Sequence, residues 1–82
     1  MNFEQFQALN SLISAFGTNG LRTQETYKVA PAMLEIRPAP PMGEFSQSEI
    51  ESIRSIAEPR GFAHVATEPD RSVTMYRLPK IG

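Results

Sequence analysis

The chain has 82 residues, no cysteine, one histidine and a formal net charge of −1. This length predicts a single small domain over residues 1–82. The lack of cysteine excludes disulfides and thiolate metal sites, and one histidine alone forms no metal cluster. Without net positive charge, binding to nucleic acid requires a local basic patch. No apolar run approaches the roughly 20 residues of a membrane span. No signal peptide leads the chain, so we expect an intracellular protein, cytoplasmic or nuclear, without a membrane partner.

The segment 3–16 has the pattern of an amphipathic helix. Asn2 and Gln5 have the spacing of a capping box, and Gly17 is expected to end the helix. Apolar residues recur at helical spacing along one broad face, which we expect to pack in the core. These residues are Phe3, Phe6, Leu9, Leu12, Ile13 and Phe16.

The middle of the chain predicts a loop, a strand and a stiff connection. Residues 17–27 are polar and turn-rich, so we expect a loop with a short extended piece near Tyr27. Residues 28–37 alternate apolar and polar side chains in the manner of a half-buried strand. Because Pro31 cannot donate a ladder hydrogen bond, the strand either starts after it or lies at an edge there. The proline-rich tract 38–43 is expected to be extended and stiff.

A second helix and a hairpin follow. Ser46 and Glu49 again have capping-box spacing, and Gly61 is suited to the left-handed turn that ends a helix. Segments 62–67 and 72–78 are rich in β-branched and aromatic residues, which predicts two strands. The predicted order is therefore α-β-α-β-β. The simplest packing is an α+β two-layer sandwich, with both helices on one face of a three-stranded, mainly antiparallel sheet.

Several short motifs of the C-terminal half share an order with a known family. They are Pro40-Pro41-Met42, the capped helix, Ile56-Ala57-Glu58, Gly61-Phe62, His64 and Glu68-Pro69-Asp70-Arg71 before a β-branched strand. Over about residues 38–80 the chain resembles the Arg-x-x-x-His, or R-three-H, domain of some helicases and zinc-finger transcription factors. The resemblance implies a three-stranded antiparallel sheet with two helices on one side. It also implies non-catalytic binding of single-stranded DNA, RNA or nucleotides.

The chain departs from this family at its defining pair. The signature arginine falls on Ile50 and the signature histidine on Arg54, so one cation of the pair is replaced by a neutral residue. Ile50 also has the position of a hydrophobic staple with Phe45, which predicts that it is buried. Pro59 in the last helical turn is a second departure.

A small basic patch is the expected binding site. Arg54 is expected to contact a phosphate or, alternatively, to pair on the helix surface with Glu51 or Glu58. Arg71 matches the basic position that precedes the last strand of the family, and Tyr76 could stack on a base. The complete set of expected phosphate-binding residues is Arg54, Arg60, His64, Arg71 and Lys80.

Two functional hypotheses follow. The first is a single-stranded nucleic-acid-binding domain that uses the basic patch. The second is a protein-interaction or regulatory module that keeps the fold without the ligand, with a partner at the 38–43 tract or at a sheet edge. We expect no enzyme, cofactor or metal, because the sequence has no nucleophile elbow, phosphate loop or zinc-ligand spacing.

Overall fold

Two β-hairpins form the sheet, and the second helix of the chain lies between them in sequence. The computed structural model describes residues 1–80, so the last two residues of the expected domain lie outside the described residues. Strands β1 (Thr23–Lys28) and β2 (Met33–Pro38) form the first hairpin; β3 (Ala63–Thr67) and β4 (Thr74–Arg77) form the second. The strands are antiparallel and lie in the order β1-β2-β4-β3.

The α+β class is confirmed, but the predicted sheet of three strands is wrong. The described residues form two α-helices and four strands, in the order α-β-β-α-β-β. The additional strand is β1, in the segment for which the sequence predicts mainly a loop. Its side chains alternate between half-buried and exposed. Two of the half-buried positions are occupied by polar residues, Thr23 and Glu25. Because these residues are polar, the strand lacks the hydrophobic alternation by which a half-buried strand is identified.

The next strand, β2, begins at Met33 and so starts after Pro31, one of the two expected alternatives. The proline-rich tract that follows it is not fully extended. Pro38 still belongs to β2, and the Met42 amide then donates to the Ala39 carbonyl at 3.2 Å. This hydrogen bond closes a turn, which redirects the chain toward the second helix.

Helix α1 (Phe3–Thr18) has the predicted capping box. The Gln5 amide donates to Asn2 Oδ1 at 2.8 Å, and the Asn2 amide donates to Gln5 Oε1 at 3.1 Å. The helix continues through Gly17, so the expected end at this glycine is wrong. Side chains satisfy carbonyls of the last turn: Thr18 donates to Ser14 and Asn19 donates to Ala15. These bonds let the helix extend by two residues beyond the predicted end at residue 16.

Only part of the broad apolar face of α1 is buried. Leu12 and Phe16 are in the core, and Leu9 packs against it. By contrast, Phe3 and Phe6 are 71% and 51% exposed. The expectation that all three phenylalanines lie in the core is therefore wrong. The buried residues follow one stripe at helical spacing, whereas the exposed ones lie on the adjoining stripe, which turns away from the sheet.

Helix α2 (Gln47–Ala57) also has its predicted capping box, formed by Ser46 and Glu49. A short 3-10 turn, Glu58–Arg60, follows it and contains the proline. Gly61 then takes the predicted left-handed conformation, with φ at 88°. Its position is also crowded, because an added Cβ would lie 3.2 Å from Pro79 Cβ.

The core lies between the helices and one face of the sheet. The inward positions of β2 and β4 contribute Leu34, Ile36 and Tyr76, each no more than 1% exposed. The two helices contribute to the same cluster, which includes Leu12, Phe16, Ile50, Ile53 and Ala57. Both helices therefore pack on one side of the sheet, which gives the end of α2 and the second hairpin a fixed relative position.

A cleft between the second helix and the second hairpin

A cleft of about 380 Å³ lies between α2, β3 and the β3–β4 turn. We call it the α2–β3 cleft. It brings together three of the predicted phosphate-binding residues, Arg54, His64 and Arg71. Its wall also includes Gln47 and Thr67, which the sequence analysis did not single out.

Arg54 extends from the last turn of α2 toward β3. Its Nη2 lies 3.2 Å from Nδ1 of His64, and its Nε lies 3.6 Å from a carboxylate oxygen of Glu58. The ion pair joins two side chains that are 50% and 56% exposed, so it contributes little stability. Of the two partners expected for a surface arginine, Glu58 is therefore the one that pairs with it. Because a guanidinium has five N–H donors, these contacts leave Arg54 able to bind a further acceptor.

His64 connects Arg54 to the threonines of the second hairpin. Its Nε2 lies 2.8 Å from Thr67 Oγ1, which in turn lies 2.8 Å from Thr74 Oγ1. An arginine can only donate hydrogen bonds, so Nδ1 of His64 must accept from Arg54. The imidazole proton is therefore on Nε2, which donates to Thr67. The network thus assigns a neutral histidine with a single tautomer.

The electrostatic environment of His64 agrees with this assignment. Burial lowers the pKa of His64 from its ordinary value of 6.5, and the Arg54 guanidinium lowers it further, whereas Glu58 opposes both. His64 is therefore mainly neutral at pH 7 in the free protein. The permanent cations of the cleft are Arg54 and Arg71.

Tyr76 lies beneath this network and cannot stack on a base. Its ring is 5.3 Å from the His64 ring in an edge-on arrangement, and only 1% of the residue is exposed. Burial raises the pKa of Tyr76, while hydrogen bonds from Arg54 and Thr74 oppose this shift. The expected stacking role of Tyr76 is therefore wrong: the residue supports the cleft from below.

Arg71 is held at the opposite side of the cleft by the loop before α2. Its Nε donates to the Phe45 carbonyl at 2.7 Å, and the Phe45 amide donates to the Arg71 carbonyl at 2.9 Å. These two bonds hold Arg71 in the left-handed region, with φ at 60°. Among the described residues, no carboxylate forms an ion pair with Arg71. Its terminal Nη groups are available to a ligand.

Acidic side chains limit the positive charge of the cleft. Glu51 and Glu68 belong to its wall and are exposed. The two permanent cations therefore face the carboxylates of Glu51 and Glu68, in addition to Glu58, which pairs with Arg54, and Asp70, which interacts electrostatically with Arg71. A ligand must use directed hydrogen bonds from the two guanidinium groups, because the cleft offers little net electrostatic attraction.

The other two predicted residues are elsewhere. Arg60 donates to Ser11 Oγ on α1 at 3.1 Å and to the Ile56 carbonyl at 2.9 Å, so it joins the two helices. Lys80 is exposed and follows Pro79, whose carbonyl accepts from Gln5 near the start of α1. The structure therefore divides the five predicted residues into three at the cleft and two near α1.

Ile50, at the signature arginine position of the resemblance, is 8% exposed and belongs to the core cluster with Phe45. The expected burial of this residue is confirmed. Its side chain is also part of the floor of the cleft. Apolar packing therefore fills this position, and Arg71 approaches the same cleft from the hairpin.

Within residues 1–80, no cluster of His, Cys, Asp and Glu is arranged to hold a metal ion. In the same range, no helix has the length and hydrophobicity required to cross a bilayer. Comparisons of the chain with family models, with curated proteins and with solved structures found no match. The functional argument therefore depends on the geometry of the α2–β3 cleft.

The shifted pKa of His64 predicts a pH-dependent stability. Well above pH 6.5 the histidine is neutral in both the folded and the unfolded chain. As the pH falls below this value, the unfolded chain takes up the proton first, because the folded pKa is lower. We therefore expect the free energy of unfolding to decrease as the pH falls through about 6.5, until the folded chain takes up the proton as well. Urea denaturation of the wild type and of His64→Gln measures this effect; an equal decrease in both proteins would exclude His64 as its source.

Proposed function

We propose that this chain is a non-catalytic binding domain for single-stranded nucleic acid, DNA or RNA, and that the α2–β3 cleft holds its phosphates. The observation that carries the proposal is the convergence of Arg54 and Arg71 on one cleft from separate elements. Each guanidinium group donates to a neutral acceptor, the His64 imidazole for Arg54 and the Phe45 carbonyl for Arg71, and Arg54 also pairs with Glu58. Arginine recognises phosphate through such directed N–H groups.

The size of the cleft favours a single strand over a duplex. A volume of about 380 Å³ lies at the lower end of the range for small-molecule pockets, which suits one nucleotide or a short backbone segment. Proteins that bind single strands hold the phosphate backbone in a groove. The resemblance of residues 38–80 to the R-three-H domain supports the same ligand class.

Two phosphate contacts set the expected salt dependence. For single strands, the logarithm of the binding constant falls by about 0.7 per neutralised phosphate for each tenfold increase in salt. Two contacts therefore predict a slope of about −1.4 and a loss of about sevenfold in affinity between about 50 and 200 mM salt.

Titration of the protein into a labelled oligonucleotide of about 10 nucleotides at these two salt concentrations tests the proposal. We expect micromolar binding at the lower concentration and the stated loss at the higher one. Absence of binding below high micromolar concentrations at about 50 mM salt contradicts the proposal.

A protein-interaction module is the second candidate, and the exposed aromatic face of α1 favours it. Phe3 and Phe6 are more than half exposed, on a helix whose one charged residue is Glu4. Exposed aromatic side chains are enriched at protein interfaces. This function predicts no salt-dependent binding of the oligonucleotide, so the same titration separates the two candidates.

A further inference from the structure

The hydrogen bonds around His64 place an unprotonated nitrogen directly beside the proposed phosphate site. Nδ1 accepts from Arg54, while Nε2 is occupied by its donation to Thr67. The histidine is also part of the cleft wall, so Nδ1 and the guanidinium of Arg54 are close to the same ligand space. An anion that takes the Nη2 hydrogen bond of Arg54 competes with Nδ1 for that donor.

The charged and titratable groups near His64 come from four elements. Helix α2 contributes Arg54 and the 3-10 turn after it contributes Glu58, and these two have opposite effects on the imidazole. Glu51 lies farther along the α2 wall of the cleft. The β3–β4 turn contributes Glu68 and Arg71 to the cleft, while β4 contributes the neutral Tyr76 beneath the ring. In the free protein the nearest of these charges is the guanidinium on Nδ1, which disfavours protonation.

A bound anion favours protonation of His64, which Arg54 disfavours in the free protein. When a phosphate oxygen binds Arg54, the anion brings negative charge close to the imidazole and partly neutralises the guanidinium. Where the phosphate oxygen takes the Nη2 hydrogen bond, Nδ1 loses its donor and has an acceptor nearby. A proton from solvent on Nδ1 restores a hydrogen bond, because the imidazolium donates to the phosphate oxygen, while Nε2 continues to donate to Thr67.

We infer that the α2–β3 cleft binds an anion together with one proton, which is taken up at Nδ1 of His64. This inference rests on the proposed function and adds its regulation: binding of the nucleic acid strengthens as the pH falls. The increase in affinity can reach about tenfold per pH unit between the pKa of His64 in the free protein and its higher pKa in the complex.

Oligonucleotide titrations at about pH 8 and about pH 6, at the same low salt concentration, test the inference. We expect the wild type to bind at least about threefold more tightly at the lower pH. The matched variant is His64→Gln, whose amide can accept from Arg54 and donate to Thr67 but does not titrate. It should bind equally at both pH values, and circular dichroism verifies that it is folded.

The possible outcomes separate this inference from the proposed function. Equal wild-type binding at both pH values overturns the coupled proton but leaves the binding function in place. An equal pH dependence in His64→Gln also overturns it, because another group would then take up the proton. Absence of binding at both pH values contradicts the proposed function and this inference together.

A second readout does not depend on affinity. His64 is the one histidine of the chain, so its imidazole resonances are assigned without ambiguity. We expect nitrogen chemical shifts of the Nε2–H tautomer in the free protein, and a rise in the pKa of His64 when the oligonucleotide is added. An Nδ1–H tautomer in the free protein, or an unchanged pKa in a complex that forms, overturns the inference.

Discussion

We expect the Phe16→Ala variant to lose about 3–5 kcal/mol of the free energy of unfolding. Phe16 is 1% exposed and belongs to the cluster in which both helices meet the sheet. Truncation removes the buried ring and leaves a cavity that the surrounding side chains fill only in part. A domain of this length has about 4–12 kcal/mol of total stability, so the variant should be close to unfolding. Urea denaturation followed by circular dichroism measures the difference.

Phe3→Ala is the matched control on the same helix. Phe3 is 71% exposed, so its truncation should change the free energy of unfolding by no more than about 0.5 kcal/mol. Similar losses for the two variants contradict the orientation of α1 described above. They would indicate that the whole broad apolar face is buried, as the sequence pattern alone predicts.

The second large effect concerns binding. Replacement of both Arg54 and Arg71 with glutamine should reduce oligonucleotide affinity by about a hundredfold or more. Each substitution removes a charged hydrogen-bond donor worth about 1.5–3 kcal/mol. The residual binding should also lose most of its salt dependence, because the slope falls by about 0.7 for each phosphate contact removed. Titrations at two salt concentrations measure both quantities.

The matched control is the double variant of Arg37 and Arg77 to glutamine. These residues are exposed on β2 and β4 and are not part of the cleft wall. Because two arginines are replaced in each double variant, the two variants have the same net charge. We expect its affinity to stay within about twofold of the wild type, since distant exposed charges are screened by salt. Equal losses in both variants would show that binding depends on overall charge and not on the cleft.

Local chemistry predicts the start of both helices and the left-handed turn after the second. The capping boxes at Asn2 and Ser46 and the left-handed Gly61 each depend on a few neighbouring residues, and the structure confirms all three. Strand β1 escaped prediction because an edge strand needs only one partner and tolerates polar residues such as Glu25 at half-buried positions. The exposure of Phe3 escaped prediction because periodicity identifies an apolar face but not how much of it the sheet covers.

In the candidate site as well, some residues were predicted from the sequence and others depend on contacts that only the fold creates. Arg54 and Arg71 were both identified from the resemblance, and the structure places them at one cleft. Arg60 lies away from the cleft, because its guanidinium reaches from the 3-10 turn to Ser11 on α1. The sequence does not predict this contact, because the two residues are distant along the chain. Thr67 was missed because a threonine in a strand has no distinctive pattern; its importance arises only from the hydrogen bond to His64.

The most direct test of the central claim is a map of backbone amide chemical shifts during titration with a short single-stranded oligonucleotide. We predict that the shifts change along the cleft, in the 47–54, 64–67 and 68–71 segments. Changes confined to α1 or to the open face of the sheet, in a complex that forms, would place the ligand elsewhere and contradict the claim.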